Sequence, residues 1–288
     1  MKYVTLSEMC WTIRNNFHKI PHDIDFVLGV PRSGVICASI ISEFLNAPFV
    51  DVTSFCSGAV PTGGGRLRYH TESVREKKKV LVVDDTIYNG NAMRRVRQQL
   101  APFSDRYDFT YMVVYREGNC VDVDFWLDDL RKYTTDFPIV LYEWNIFHHI
   151  TNIMAQCIYD MDGVLCVDPP DERNENEYLN YIINAVPLFT PTTEIGQIVS
   201  YRLSKNEEIT KRWLSEHNIR YKGITLFPAK TYEERANSGI SPAAFKADIY
   251  KHSGWAKLFV ESDDIQAQKI RDITRKPVYC VGSNKLYQ

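Results

Sequence analysis

The sequence lacks the features that mark membrane, metal-stabilised and polyanion-binding proteins. No apolar run in its 288 residues is long enough to span a bilayer, and no secretory signal is recognisable. The seven cysteines include no Cys-x-x-Cys pair and no cluster with histidine at zinc spacing. The net charge of −2 gives no reason to expect a nucleic-acid or membrane partner. We therefore expect a cytoplasmic protein that acts on small molecules.

Internal repeats and low-complexity runs are also absent, and the chain instead alternates strand-like and helical segments. Its length suits two domains of about 150 residues each. We place them at 1–150 and 151–288, with the boundary near Asn145–Ala155. We expect Trp144, His148 and His149 to pack at this boundary, with closure over a ligand at the domain junction as the alternative. The alternation predicts an α/β fold, with a doubly wound parallel sheet in each domain and helices on both faces.

The apolar runs and the turn residues between them give the positions of these segments. In the first half, the pattern predicts strands near 26–30, 48–53, 80–84 and 109–115, with helices at 34–46 and 91–101. In the second half, it predicts strands near 156–160, 197–200, 222–227, 257–261 and 277–281, with helices at 206–217 and 264–274. Ligands of parallel sheets bind beyond the carboxyl ends of the strands, so functional residues are expected there.

The most informative segment, residues 80–93, reads Val-Leu-Val-Val-Asp-Asp-Thr-Ile-Tyr-Asn-Gly-Asn-Ala-Met. An apolar strand runs into Asp84 and Asp85, a polar loop with Gly90 follows, and a helical pattern begins at Ala92. Loop amides and a helix N-terminus suit a phosphate group. The carboxylates suit ribose hydroxyls or the magnesium that accompanies a polyphosphate. The segment therefore predicts a site for a phosphorylated sugar.

This segment resembles the PRPP-binding motif of type I phosphoribosyltransferases, in which two acids precede a small polar phosphate loop. The family loop usually reads Thr-Gly-x-Thr, whereas here it reads Asn-Gly-Asn-Ala at 89–92. Asparagine donates and accepts hydrogen bonds as threonine does, so the loop still suits a phosphate. The resemblance implies a PRPP-binding set made of Asp84, Asp85, Thr86, Asn89, Gly90, Asn91 and Ala92.

A second glycine-bounded loop, Phe-Val-Leu-Gly-Val-Pro-Arg-Ser-Gly at 26–34, joins an apolar strand to a helix. Gly29 and Gly34 allow close backbone approach, and Arg32 carries a fork of donors suited to phosphate oxygens. The loop resembles the pyrophosphate loop of the same family, which often holds a cis peptide bond that does not precede proline. The resemblance implies that Arg32 and Ser33 bind the pyrophosphate of PRPP.

The stretch 54–79 between these loops contains three consecutive glycines, Gly63–Gly65, followed by basic and aromatic residues. A long loop inside a compact domain is often a functional lid. Phosphoribosyltransferases close such a loop over PRPP. The resemblance therefore implies a lid whose polar side chains balance the charge of the leaving pyrophosphate, namely Arg66, Arg68, Tyr69 and His70.

A second centre of chemistry begins with Cys-Ile-Tyr-Asp-Met-Asp-Gly-Val-Leu at 157–165, an apolar strand that runs into two acids and a glycine. Such acid pairs also occur in calcium loops. The spacing of Asp160, Asp162 and Gly163 resembles motif I of the haloacid dehalogenase (HAD) superfamily, Asp-x-Asp-Gly. The resemblance implies that Asp160 is a nucleophile that forms an aspartyl-phosphate. It also implies that Asp162 is the general acid and base of a phosphatase, with its carbonyl oxygen on magnesium.

Three later segments follow in the order of the remaining HAD motifs. Ser200 ends an apolar run, Lys246 lies in Ala-Ala-Phe-Lys-Ala, and Glu261 ends a strand before further acids. The resemblance implies that Ser200 holds a phosphoryl oxygen and that Lys246 screens charge beside the nucleophile. Other lysines compete for that role: Lys230, Lys251 and Lys257. The implied catalytic set is Asp160, Asp162, Ser200 and Lys246. The implied metal set is Asp160, Asp162, Glu261 and Asp263, with the choice among Glu261, Asp263 and Asp264 left open.

Together the two resemblances imply a bifunctional enzyme of nucleotide metabolism. The first domain would transfer phosphoribose from PRPP to a base, and the second would hydrolyse a phosphomonoester such as a nucleoside monophosphate. Mg²⁺ would serve both steps. The expected partners are PRPP, a base and a phosphomonoester, and a homodimer is left open. In this family, a hood region determines which base is bound. Here it would correspond to residues 1–17 or 115–144, where we find no pattern that indicates the base.

Two alternatives remain open at this level. The first domain could sense PRPP or a nucleotide without turnover, which the altered loop at 89–92 favours. The second domain could act on nucleic-acid ends, because the stretch 166–197 between the first two HAD motifs is short for a large cap. The low overall charge argues against this second alternative, since polyanion binding draws on Lys and Arg contacts to phosphate.

Overall fold

The computed structural model describes residues 1–65, 76–119, 121–133, 139–148, 153–170 and 174–288. The chain divides into two compact units, Met1–Trp144 and Asn145–Gln288. Each unit has its own mainly parallel sheet, so the predicted α/β class with parallel sheets is confirmed. Within the described ranges, no helix combines the length and the hydropathy that a bilayer crossing requires.

The first unit alternates strands and helices along the chain. Its strands are β1 (Lys2–Val4), β2 (Phe26–Gly29), β3 (Phe49–Asp51), β4 (Lys78–Ile87), β5 (Tyr107–Arg116), β6 (Phe125–Asp129) and β7 (Val140–Tyr142). Its helices are α1 (Leu6–Asn15), α2 (Ser33–Leu45), α3 (Val52–Cys56) and α4 (Asn91–Leu100). The main sheet has the order β3-β2-β4-β5-β6 with parallel neighbours throughout, and β1 pairs with β7 in a small parallel sheet.

The central strand β4 is buried on both faces, which explains its continuous apolar run. Leu81 and Val83 belong to the core cluster that holds residues of α1 and α2. Val80 and Val82 belong to the cluster that holds residues of α3 and α4. Because successive side chains of a strand point to opposite faces, these helices cover the two faces of the sheet, as predicted.

The second unit is built in the same way. Its strands are β8 (Cys157–Tyr159), β9 (Ile195–Leu203), β10 (Tyr221–Phe227), β11 (Leu258–Glu261), β12 (Val278–Cys280) and β13 (Lys285–Tyr287). Its helices are α5 (Glu175–Asn184), α6 (Glu207–Glu216), α7 (Tyr232–Asn237), α8 (Pro242–His252) and α9 (Asp264–Thr274). The sheet order is β10-β9-β8-β11-β12-β13, and all neighbours are parallel except the edge pair β12 and β13.

The position of β8 within this sheet determines which polar residues meet. Tyr159 at the end of β8 pairs with Ile198 of β9 on one side and with Val260 of β11 on the other. The strand that leads to Asp160 therefore lies between the strands that carry Ser200 and Glu261. Parallel strands end at the same edge of a sheet, so the predicted HAD-like residues converge on one edge.

For two predicted strands, the limits in the structure change where an acidic residue lies. The strand expected at 48–53 ends at Asp51, because the Asp51 carboxylate accepts a hydrogen bond from the Ser54 amide (2.9 Å) and begins α3. The strand expected to end at Asp84 continues to Ile87, because it remains paired with β5 as far as Arg116. The acid pair therefore lies inside β4 and not at its end.

Candidate functional site

The acid pair of the first unit lies just past the end of a neighbouring strand. On the β2 side, the last paired residues are Gly29 and Val83, so Asp84 and Asp85 project beyond β2 although β4 continues along β5. Both side chains are buried. Burial and the charge of Asp85 hold the pKa of Asp84 well above its usual value, and burial raises the pKa of Asp85. This edge therefore favours a ligand that compensates negative charge or donates hydrogen bonds.

Gly34 brings the predicted pyrophosphate loop against the acid pair. A Cβ atom at this position would lie 2.7 Å from Asp84 Oδ1 and 2.8 Å from the Val83 carbonyl oxygen. Only glycine allows the first turn of α2 to approach β4 so closely. Arg32 directly precedes α2 and is exposed, and the Pro31–Arg32 peptide bond is cis. The structure thus brings the loop with Arg32 and Ser33 to the acid pair.

An aromatic pair that the sequence did not assign to the site also contacts these acids. Trp144 Nε1 donates a hydrogen bond to Asp85 Oδ2 at 2.7 Å, so Trp144 is more than a packing residue at the boundary. The rings of Trp144 and Tyr142 lie 4.9 Å apart. The Tyr142 hydroxyl donates to Glu117 Oε1 at 2.6 Å, and burial raises the pKa of Glu117. Only the folded sheet brings these distant residues together.

The predicted phosphate loop is held by its own side chains and by Arg94. Gly90 has a positive φ of 75° and immediately precedes α4. The Asn91 amide donates to Asn89 Oδ1 at 3.1 Å. Arg94 donates to the Asn89 carbonyl oxygen (2.9 Å) and to Asn91 Oδ1 (2.6 Å), and it forms an ion pair with Asp122. Sequence reasoning missed Arg94, although its basic side chain lies one helical turn after Gly90.

The structure shows fewer contacts for the remaining residues that were predicted to bind PRPP. The Thr86 amide donates to Asp85 Oδ1 at 2.9 Å, and Ala92 is exposed in the first turn of α4. Gly64, in the predicted lid, has a positive φ of 63°. The basic part of that lid, including Arg66 and Arg68, lies outside the described residues, as do Tyr69 and His70.

In the second unit, a buried ammonium group joins three side chains from different elements. Lys246 Nζ of α8 donates to Asp160 Oδ2 (2.6 Å), Glu261 Oε2 (2.8 Å) and Gln266 Oε1 (3.1 Å). Lys246, Asp160 and Glu261 are all buried. Burial raises the pKa of Asp160 although the charge of Lys246 opposes this, and the two carboxylates keep the pKa of Lys246 above its usual value despite its burial. The competing lysines are exposed: Lys230, Lys251 and Lys257.

Asp162 has a different set of partners. Arg202 Nε of β9 lies 3.1 Å from each Asp162 carboxylate oxygen, and the Tyr181 hydroxyl donates to Oδ1 at 2.6 Å. Burial alone would raise the pKa of Asp162, but the charge and hydrogen bonds of Arg202 outweigh it and lower the pKa. The carboxylate is therefore held in its ionised form. Neither Arg202 nor Tyr181 belongs to a motif that the sequence suggested.

A cavity of about 420 Å³ opens at this edge of the sheet. Its lining includes Asp160, Asp162, Lys246 and Asp263, together with Asp168, which sequence reasoning missed. Burial and the charge of Asp162 raise the pKa of Asp168. Asp168 is therefore suited to carrying a proton within the cavity.

Ser200 and two of the late acids are engaged in local structure. Ser200 is fully buried, and its Oγ accepts a hydrogen bond from the Arg202 amide at 3.2 Å. Asp263 caps α9 by accepting from the Gln266 amide at 2.7 Å. Asp264 accepts from the Tyr287 hydroxyl. Among these residues, Asp263 alone belongs to the cavity lining described above.

The donor atoms at both sites fit magnesium in kind, because they are carboxylate and carbonyl oxygens. Asp160 Oδ1 accepts only the Met161 amide (2.8 Å) within the described chain, and the Asp162 carbonyl oxygen accepts from Ser262 Oγ (3.2 Å). No three Asp, Glu, His or Cys side chains among the described residues are arranged to hold a metal ion. Magnesium is commonly held by one or two carboxylates with water and substrate phosphate, and the residues present fit that mode.

Comparison with known families found a match within the first unit. Residues 6–105 match the family model described as Phosphoribosyl transferase domain. This match spans both loops at 26–34 and 80–93, and it supports phosphoribosyltransferase-type chemistry for the unit. It does not extend into the second unit, whose function has to be inferred from its own site.

Several solved phosphoribosyltransferases are similar to the chain at low sequence identity. Orotate phosphoribosyltransferase from Aeropyrum pernix is 19% identical, with a TM-score of 0.32, over 44% of this chain and 71% of that one. The Helicobacter pylori xanthine-guanine-hypoxanthine enzyme is 15% identical, with a TM-score of 0.34, over 50% and 92%. The purine enzyme from Pyrococcus horikoshii is 17% identical, with a TM-score of 0.34, over 49% and 92%. No curated protein matches the chain.

Proposed function

We propose that the first unit transfers the phosphoribosyl group of PRPP to a nitrogenous base. The observation that carries this proposal is the contact of the two loops at Asp84, where Gly34 admits the pyrophosphate loop. Asp84 and Asp85 accept hydrogen bonds from the ribose hydroxyls, and the amides of Asn89–Ala92 bind the 5-phosphate. Arg32 and Ser33 bind the pyrophosphate. The base nitrogen bonds to the anomeric carbon as the carbon–oxygen bond to pyrophosphate breaks, and pyrophosphate leaves with the bonding electrons.

Calorimetry with PRPP and magnesium tests this assignment. The double variant Asp84→Asn/Asp85→Asn loses two charged acceptors, each worth about 1.5–3 kcal/mol, so the affinity should fall at least roughly tenfold. Asp105→Asn/Asp108→Asn removes the same charge at exposed positions of this unit and should bind PRPP as the wild type does. Equal affinity in wild type and the first variant, or no PRPP binding in either, would contradict the proposal.

A PRPP sensor is the alternative for this unit, and the replacement of the usual Thr-Gly-x-Thr by Asn-Gly-Asn-Ala favours it. Both functions require binding, but only the transferase releases pyrophosphate when a base is present. We expect pyrophosphate release with at least one base of a panel of purines and pyrimidines. Tight PRPP binding without release for any base would instead assign the unit to sensing.

For the second unit, we propose magnesium-dependent hydrolysis of a phosphomonoester, with a nucleoside monophosphate as the substrate. The supporting observation is the buried Lys246, which holds the Asp160 carboxylate at the cavity. An Asp160 oxygen attacks phosphorus, the bond to the substrate alcohol breaks, and an aspartyl-phosphate forms. Asp162, which lines the same cavity, is the general acid and base in this proposal: it protonates the leaving oxygen and then takes a proton from the water that cleaves the intermediate. Asp168, whose pKa is raised by burial, is a second carboxyl group in the cavity.

Magnesium held by Asp160, the Asp162 carbonyl and an acid after β11 would balance the charge of the phosphoryl oxygens. Lys246 does the same from the protein side, because its ammonium group is next to the attacking carboxylate. Glu261 keeps that ammonium group in place through its own hydrogen bond at 2.8 Å. The chain thus supplies a nucleophile, a fixed cation and two further carboxyl groups in one cavity.

Phosphate release from a generic phosphomonoester tests the phosphatase. Asp160→Asn should abolish turnover because an amide does not attack phosphorus, and Asp162→Asn should reduce it strongly. Asp248→Asn removes an exposed acid of α8 and should leave the rate unchanged. Hydrolysis by Asp160→Asn at the wild-type rate would contradict the assignment. A strong preference for a phosphorylated oligonucleotide over a mononucleotide would favour the nucleic-acid-end alternative.

A further inference from the structure

The Asn145–Gln288 unit has a second cavity of about 570 Å³ at the edge of its sheet opposite Asp160. Gly196 and Lys222 lie at the starts of β9 and β10, and Lys257 directly precedes β11. In a parallel sheet these starts form one edge, while Asp160 follows the end of β8. The volume falls within the range of about 300–1,000 Å³ that small-molecule pockets occupy. This cavity shares no lining residue with the one that holds Asp160.

The wall of this cavity combines the exposed indole of Trp255 with two glycines, Gly196 and Gly223, which have no side chain to fill the space. A Cβ atom at Gly196 would lie 2.8 Å and 2.9 Å from two ring atoms of Trp255, so the indole rests on the backbone of β9. Trp255 nevertheless keeps 44% of its surface exposed. A Cβ atom at Gly223 would meet only the Gln197 side chain, at 3.9 Å. The cavity therefore offers a flat aromatic surface next to open space.

The charge of the lining has a single sign. Among the described residues of the lining, the ionisable side chains are Lys222 and Lys257. Lys222 Nζ has one weak hydrogen bond, to the Ala155 carbonyl oxygen at 3.4 Å, and no partner for the Lys257 ammonium group is found among the described residues. The lining thus carries an excess of positive charge; burial, and after it the charge of Lys257, lowers the pKa of the nearby Lys276. An anionic ligand would relieve this excess.

We propose that this cavity binds a nucleoside monophosphate, with the base stacked on Trp255 and the phosphate between Lys222 and Lys257. Stacking on an aromatic side chain accepts any base, because every base has a π face. Gln197 lines the same cavity; its Nε2 donates to Thr225 Oγ1 at 2.8 Å, and its amide oxygen suits a donor on the polar edge of a base. The site is separate from the proposed phosphatase centre and does not depend on catalysis there.

The charge requirement is tested by calorimetry of the full chain with AMP in EDTA, where magnesium-dependent hydrolysis cannot proceed. Lys222→Ala/Lys257→Ala should weaken this site at least roughly tenfold, because each loses a charge-assisted contact to phosphate. Lys251→Ala/Lys285→Ala removes the same charge at exposed positions outside the cavity and should bind as the wild type does. An AMP isotherm of the first variant identical to that of the wild type would overturn the proposal.

The aromatic requirement is tested with two variants that keep the lysines. Trp255→Leu should weaken AMP binding roughly fivefold or more, since base stacking contributes about 1–3 kcal/mol. Trp255→Phe keeps a ring and should retain most of the affinity. Ribose 5-phosphate, which has no base, should bind more weakly than AMP and should respond little to Trp255→Leu. Equal binding of AMP and ribose 5-phosphate, or no effect of Trp255→Leu on AMP, would overturn the stacked arrangement.

Discussion

Arg202 Nε lies 3.1 Å from each carboxylate oxygen of Asp162, so a buried cation fixes the second acid of the motif-I-like strand end. Arg202 is almost fully buried, and its Nη1 also donates to Thr210 Oγ1 at 3.2 Å. Asp160 in turn has Lys246 as its partner. Two acids separated by one residue are therefore paired with different cations and have opposite pKa shifts. The two carboxylates therefore lie in different electrostatic environments.

Removing Arg202 should destabilise the second unit strongly. Arg202→Leu leaves the Asp162 charge without its buried partner, which costs about 3–5 kcal/mol in comparable pairs. The folded-state pKa of Asp162 is lowered, so the pair stabilises the fold above the unfolded-state pKa of about 3.9. That stability is lost as the pH falls through the folded-state pKa. Urea unfolding of both proteins at pH 7 and at low pH measures the difference.

The double variant Arg202→Leu/Asp162→Leu is the matched control for this experiment. Because it removes both charges, it should recover part of the stability that Arg202→Leu loses. The stability gap between wild type and Arg202→Leu should shrink as the pH falls, because without Arg202 burial raises the folded-state pKa of Asp162 and protonation removes the unpaired charge. Equal free energies of unfolding for wild type and Arg202→Leu at pH 7 would contradict a stabilising ion pair between Arg202 and Asp162.

Asp84→Asn should make the first unit more stable at neutral pH. The folded-state pKa of Asp84 is raised by burial and by Asp85, so its charged form opposes folding. This cost is absent below the unfolded-state pKa of about 3.9 and is complete above the folded-state pKa. Each kcal/mol gained should raise Tm by roughly 2–4 °C.

Thermal unfolding of wild type and Asp84→Asn across pH 3–8 provides the measurement. The gain in Tm should be present at pH 7 and disappear towards pH 3, while Asp108→Asn, an exposed acid of β5, should show no such trend. A lower Tm for Asp84→Asn at pH 7 would mean that the charge is compensated within the protein. The acid pair would then be a structural feature and not a ligand site that lowers stability.

Gly34→Ala should weaken PRPP binding and stability together. Alanine is the better helix former by about 1 kcal/mol, so helix propensity alone predicts a stabilised α2. The added methyl group would instead lie 2.7 Å from Asp84 Oδ1, which forces α2 and β4 apart. Ser39→Ala, at an exposed position of the same helix, controls for propensity. PRPP affinity and Tm of both variants are the readouts, and a Gly34→Ala protein with unchanged affinity would contradict the close approach.

The strands that lead to the acid pairs were predictable from the sequence, because their composition alone marks them as buried strands. The runs before Asp84 and Asp160 are buried on both faces and therefore continuously apolar, which is readable without a fold. Elements with a single buried face and polar composition were missed, including α5, α7 and α8. Short edge strands such as β13 were missed because three residues give too little periodicity.

The partners of the acids were less predictable than the acids themselves. Trp144 contacts Asp85 and Arg202 contacts Asp162 across long stretches of sequence, and neither contact has a local signal. Lys246 could be preferred over three other lysines only by its order after Ser200, whereas the structure distinguishes it by burial and three hydrogen bonds. Contacts of this kind depend on sheet order, which the sequence pattern leaves undetermined.

Arg94→Ala should impair PRPP use through the phosphate loop. Arg94 bonds to the Asn89 carbonyl oxygen and to Asn91 Oδ1, so it keeps the loop in shape where the family pattern has threonines. Because the Arg94 side chain is half-exposed, we discount these charged hydrogen bonds and expect KM for PRPP to rise about three- to tenfold, with kcat little changed. Arg95→Ala removes the same charge from the next residue, whose hydrogen bond within the described residues goes to the Asn91 carbonyl oxygen at 3.3 Å, and should change KM less. Arg94→Lys should recover part of the loss. Equal KM increases for Arg94→Ala and Arg95→Ala would show that the effect comes from the loss of positive charge alone. They would contradict a role for Arg94 in holding the phosphate loop.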